Sequence, residues 1–124
     1  MKFLGFCLAW LATSIAYAHE MTPAYPKLVP SHVQGVKKTS VEVFNRRNDV
    51  EFYELGVFAA DWSVVPFVST YRIFKLQYLN RIKLEVYIRD EDAPRAMYLC
   101  SVSKLRPDVD RLTAVSSRIC SKLK

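Results

Sequence analysis

The sequence predicts an all-β domain, a sandwich of about seven short strands. Two observations carry this. Short runs of β-branched and aromatic residues recur between polar or proline-bearing turns, several with the period-two alternation of a half-buried strand, and nowhere does helical periodicity persist for three turns.

The chain opens with MKFLGFCLAWLATSIAYA, one lysine, an apolar middle and the small residues of Ala16-Tyr17-Ala18, which is the layout of a cleavable secretory leader over residues 1–18. His19 to Pro30 contains three prolines and reads as an extended arm or edge segment. Thr39 to Phe44 alternates, with Val41 and Val43 on one side, and Asn45 to Asp49 supplies a polar turn. Val50 to Phe58 is aromatic and β-branched, hence strand, and Ala59 to Trp62 interrupts it. Ser63 to Ser69 is apolar around Pro66, which fits an edge strand, a bend or a strand start. In the stretch PFVSTYRIFKL, Phe67, Ile73 and Phe74 are expected in the core. Ile82 to Ile88 alternates most cleanly, with Ile82, Leu84, Val86 and Ile88 on one face and Lys83, Glu85 and Tyr87 on the other. Asp90 to Pro94 is a charged, solvated loop. Met97 to Leu105 is a further strand, Arg106 to Asp110 a turn, and Leu112 to Leu123 a weaker strand poor in bulky residues.

Residues 19–124 are expected to form one domain, of a size at which a single core is adequate but not generous. Removing the leader takes away one lysine and no acid, so the net charge falls from +6 to +5. Beyond the leader the longest uncharged stretch, Trp62 to Tyr71, is about half of what a membrane helix needs, so no stable membrane insertion is expected. Cys7 departs with the leader. Cys100 and Cys120 remain, and an even pair in an exported chain implies a disulfide. Both lie ten residues from Asp110, so a hairpin turning there sets them opposite one another on the last two strands.

Catalysis has little support. The two histidines, His19 and His32, sit in no nucleophile or metalloprotease motif, and Asp90-Glu91-Asp92 lacks the ligand spacing of a calcium loop. The chain is read as a non-enzyme with no cofactor. One metal alternative exists: cleavage after Ala18 exposes His19 as an amino-terminal Cu(II) chelator, with His32 as a third nitrogen, as in small exported copper-carrying sandwich proteins. The basic residues are dispersed rather than clustered, which for an exported protein argues against nucleic acid.

The segments Val41-Glu-Val-Phe-Asn45, Pro66-Phe-Val-Ser-Thr70 leading to Ile73-Phe-Lys-Leu76, and Arg95-Ala-Met-Tyr-Leu-Cys-Ser-Val-Ser-Lys-Leu-Arg-Pro107 stand in a familiar order. From about Lys27 onward the chain resembles the N-terminal domain of the PapD-like periplasmic chaperones of chaperone-usher pilus assembly. The resemblance implies an immunoglobulin-like sandwich in the periplasm whose last strand is lent to a pilus or surface-assembly subunit by β-strand addition. It implies Thr113, Val115 and Ser117 as the pairing face, and Lys27 and Arg118 as the cations that hold the subunit's terminal carboxylate. Tyr71-Arg72 and Tyr78-Leu79-Asn80 stand where the family carries proline and glycine, and the second domain of such chaperones is expected to be absent. A different class, a structural or accessory component stably incorporated in a surface assembly, fits the same features.

Overall fold

The computed structural model describes residues 18–104 and 116–123, so residues 1–17 of the expected leader, the expected turn at Arg106 to Asp110 and residues Thr113 and Val115 fall outside the described residues. Nine strands are present among the described residues: β1 (Glu20–Thr22), β2 (Val29–Pro30), β3 (Val36–Phe44), β4 (Phe52–Phe58), β5 (Val68–Ser69), β6 (Ile73–Lys75), β7 (Arg81–Arg89), β8 (Tyr98–Lys104) and β9 (Arg118–Lys122). They form two antiparallel sheets. The first runs β1-β3-β7-β5, with β2 also on β3, and the second runs β6-β4-β8-β9. The fold is an immunoglobulin-like β-sandwich, as expected, and the strands beyond the expected seven are pieces of two or three residues along the edges.

The two longest strands explain the first sheet. All nine residues of β3 pair with all nine of β7, Val41 facing Leu84 and Val43 facing Ile82, so the two cleanest alternating segments of the sequence share one buried face. Val41, Val43, Leu84, Val86 and Ile88 pack against Tyr53, Leu55, Val57 and Leu99 of the second sheet, all of them almost wholly removed from water. At about 25 cal/mol per Å2 of buried apolar surface this interface dominates the stability of the domain.

Polar groups inside the sandwich are matched. Asn45, fully buried at the end of β3, donates from Nδ2 to the carbonyls of Val50 and Leu76, both at 2.8 Å, and accepts at Oδ1 from the Arg47 N–H at 2.8 Å and from the Tyr53 hydroxyl. The expected polar turn is therefore pinned from within by its first residue. No buried side-chain nitrogen or oxygen among the described residues lacks a partner.

Several expectations are corrected. Ile73 is 55 % exposed while Phe74 is buried, because neighbours in a strand point to opposite faces and β6 can commit only one of the two to the core. Phe67 packs partly against the core. Ser63 to Ser69 forms one isolated bridge, Val64 to Phe58, and the two-residue β5, since Pro66 withholds a ladder donor in the middle. The acidic turn is more than a solvated loop. Asp92 is buried and its carboxylate receives Arg89 at 2.9 Å and Arg95 at 3.0 Å, beside a single 3-10 turn at Ala93–Arg95. The Arg95 hydrogen bond, followed by that of Arg89, holds the Asp92 carboxyl below its usual range.

Candidate functional site

The side of the sandwich formed by β1 and β9 is where the chain leaves backbone available. In the β8–β9 ladder the Ser103 N–H donates to the Ser117 carbonyl and the Leu123 N–H to that of Met97, so the odd-numbered residues of β9 point toward β8. Alternation then turns the N–H and C=O of Arg118, Cys120 and Lys122 outward. At Lys122 the N–H is taken by the carbonyl of Ala24 at 3.0 Å, and the Ser121 hydroxyl donates to the Pro23 carbonyl. At Arg118 and Cys120 no backbone partner on the outward side occurs among the described residues. Over these two residues the edge of β9 is left without backbone pairing, although β1 lies alongside it between the tie at His19 and the closure at Ala24.

Across this edge lies the outer face of the second sheet. Cys100 and Cys120 are directly opposed in register and joined by the disulfide that the sequence implied. Gly56 pairs with Cys100 on the other side, and a methyl group on Gly56 would come within 2.8 Å of the Phe58 ring, which leans back over that position. The absent side chain thus gives Phe58 its place. Trp62 stacks on Tyr98 with ring centroids 4.5 Å apart and an angle of 6° between planes, and lies 5.9 Å from Phe58. The Arg118 guanidinium stands over both Phe58 and Trp62, at 5.7 and 5.9 Å from the ring centroids. These cation–π contacts orient Arg118 along the unpaired edge. Trp62 and Tyr98 were not singled out by sequence reading, because aromatic residues in strands read as core unless the register places them outside.

Beneath the edge, His19 is the tie between the arm and the last strand. Its ring is 1 % exposed, packs on Tyr53 at 4.6 Å, and reaches the Ser117 hydroxyl through Nδ1 at 2.9 Å and Ser101 through Nε2, at 2.8 Å to Oγ and 3.2 Å to the carbonyl. A carbonyl only accepts, so Nε2 carries a proton, and in the neutral ring Nδ1 accepts from the Ser117 hydroxyl. Burial pushes its pKa below the ordinary 6.5, partly opposed by the bond to the Ser101 carbonyl, with the Arg47 charge lowering it further. Burial likewise raises the Tyr53 hydroxyl to about 12.

Ser117, expected on the pairing face, instead turns its hydroxyl inward to His19 and accepts a strand bond from Ser103. The same geometry bears on copper. Both nitrogens of the His19 ring are engaged, whereas His32 is exposed on the outer face of the first sheet, edge-on to Tyr87. No group of three metal-ligating side chains occurs among the described residues.

Lys27 and Arg118 are not brought together. Arg118 projects from the outer face of the second sheet, while Lys27 lies in a groove with Lys38, Lys83 and Glu85 on the outer face of the first. The arm runs alongside β9 from His19 to Ala24, then bends and returns to β3 at Val29, carrying Lys27 away from the last strand. The cation of β9 beside the arm is Lys122, four residues or about 13 Å of strand beyond Arg118.

No family model matches the chain, and no curated protein matches it in sequence. Solved structures do. The E. coli chaperone DraB superposes with a TM-score of 0.65 at 18 % identity over 86 % of this chain and 53 % of its own, and the periplasmic chaperone SfaE with 0.55 at 14 % over 86 % and 56 %. This is the fold of the PapD-like chaperones. The chain spans about half the length of those two chaperones. The resemblance read from the three segments is thus borne out as a resemblance of fold, and no helix among the described residues is long and apolar enough to cross a membrane.

Proposed function

We propose that this chain is a periplasmic, chaperone-like binding module that acts without catalysis and takes up a pilus or surface-assembly subunit by β-strand addition along β9. The observation that carries the reading is the unpaired edge at Arg118 and Cys120, whose outward backbone groups have no backbone partner among the described residues and stand beside an aromatic face. Strand addition requires an unpaired edge for the hydrogen bonds and side-chain pockets for specificity, and the fold shared with DraB and SfaE supports that use of it. Thr113 and Val115, which the resemblance implies for the pairing face, lie outside the described residues. Arg118 supplies the carboxylate-holding cation at this edge, forking to both oxygens. Lys27 serves the same purpose only for a subunit that wraps the arm onto the first sheet.

Arg118→Pro tests the reading, since it removes an outward N–H without touching the β8–β9 ladder. Expressed with its subunits and recovered from the periplasm, the unaltered chain is expected to co-purify with unassembled subunit. Arg118→Pro should be recovered with an unchanged urea midpoint and no subunit, and Arg118→Ala with reduced subunit. Equal recovery with Arg118→Pro would refute pairing along β9, and finding the chain within the finished assembly would favour an incorporated component.

A further inference from the structure

The groove that receives Lys27 has a composition that strand pairing does not use. It has a volume of about 400 Å3 and lies where the segment from Pro23 to Val29 passes over β3 and β7, with Lys27, Lys38, Lys83, Ser40 and Glu85 facing it. Register explains the convergence. Lys38 and Ser40 alternate outward on β3, Lys83 and Glu85 do so on β7, and Ser40 stands directly opposite Glu85. Pro23 and Pro26 stiffen the opposite wall and Val29 gives it an apolar patch.

The nearby carboxylates do not neutralise the lysines. Glu42, opposite Lys83 in register, is held by Arg81 at 3.1 Å, and the Glu85 carboxylate accepts the Tyr87 hydroxyl at 2.6 Å. Among the described residues no ion pair engages Lys27, Lys38 or Lys83. Three ammonium groups against one carboxylate leave the groove with two uncompensated positive charges, an arrangement that repels itself until an anion enters.

We propose that this groove binds a phosphate monoester. Such a group carries about two negative charges at neutral pH and three acceptor oxygens, which matches the surplus, whereas a carboxylate carries one charge and two oxygens. Lysines present point charges that suit a phosphate approached from several sides, and the Ser40 hydroxyl adds a neutral donor. The remaining volume and Val29 accommodate the organic body. A soluble phosphate ester and a lipid or saccharide head group bearing one present the same chemistry.

The test uses the whole processed chain in backbone-amide NMR titrations with inorganic phosphate and, at matched ionic strength, acetate. Saturable phosphate shifts are expected at residues 38–40 and 83–85, with acetate at least tenfold weaker. The Lys38→Ala/Lys83→Ala double variant should weaken phosphate roughly tenfold or more, while Arg118→Ala leaves it unchanged. Binding should weaken as acid converts the phosphate dianion to the monoanion. Pelleting with vesicles containing phosphatidic acid would place the group on a lipid, and phosphate binding without pelleting would place it on a soluble ester. Absence of saturable shifts, equal affinity for acetate, an unaffected double variant, or equal pelleting with phosphatidylglycerol vesicles would overturn the proposal. Because these residues lie on the sheet opposite β9, failure here leaves strand pairing standing, and the reverse holds.

Discussion

His19 shows how much a single residue can bind together. One imidazole closes hydrogen bonds to β8 and to the residue preceding β9 while packing on the core tyrosine. Its lowered pKa fixes the sign of a pH effect. The unfolded chain protonates near 6.5 and the folded one only at lower pH, so between these values the unfolded state holds more protons. Stability is complete above about pH 6.5 and declines as the solution is acidified toward the folded pKa. Urea unfolding at pH 7.5 and 5.5 should show this decline. His19→Gln should remove most of the pH difference and cost on the order of 1–3 kcal/mol at pH 7.5, through the partners it leaves unsatisfied. Tyr53→Phe should cost about 1 kcal/mol, because Asn45 Oδ1 keeps the Arg47 N–H when the hydroxyl is gone. Neither interior role could be read in the sequence. His19 read as a leader boundary and Asn45 as the start of a turn, since each depends on partners 31 to 98 positions away.

At the scale of elements, the last two strands were the most legible. The equal spacing of Cys100 and Cys120 about Asp110 implied their register, and they are directly opposed. Replacing both with serine, which opens a loop of 20 residues, should lower stability by about 3 kcal/mol, measurable as a fall in the urea midpoint. Alternation also located β3, β4, β7 and β8 to within about three residues at either end. It failed in PFVSTYRIFKL, which supplies an edge strand to each sheet, β5 to the first and β6 to the second. A segment that changes sheets keeps no single buried face, so Phe74 is enclosed while Val68, Tyr71 and Ile73 remain more than half exposed. The arm behaves in the same way, leaving β3 after Thr22, touching β9 at Ala24 and rejoining β3 at Val29. Sequence showed its prolines but not the order of its contacts.

For the molecule as a whole, two chemically different surfaces occupy opposite faces. The second sheet presents stacked aromatics, Arg118 and an edge without backbone pairing, the surface proposed for another polypeptide. The first presents a groove of lysines suited to phosphate. The prediction at this scale is that they act separately: Arg118→Pro should abolish subunit capture with phosphate shifts retained, and Lys38→Ala/Lys83→Ala should do the converse. The sequence by itself determined the sandwich class, the strands of strong alternation and the cysteine pair. These depend on local period and on spacing within one hairpin, which side-chain geometry encodes directly. Only the tertiary structure decided that Lys27 and Arg118 lie apart, that Lys27 joins Lys38 and Lys83, and that Arg118 lies on a shelf of Phe58 and Trp62. The reason is geometric: which cations share a surface depends on which strands are neighbours and on where the arm changes sheets, and neither leaves a periodic mark in the chain.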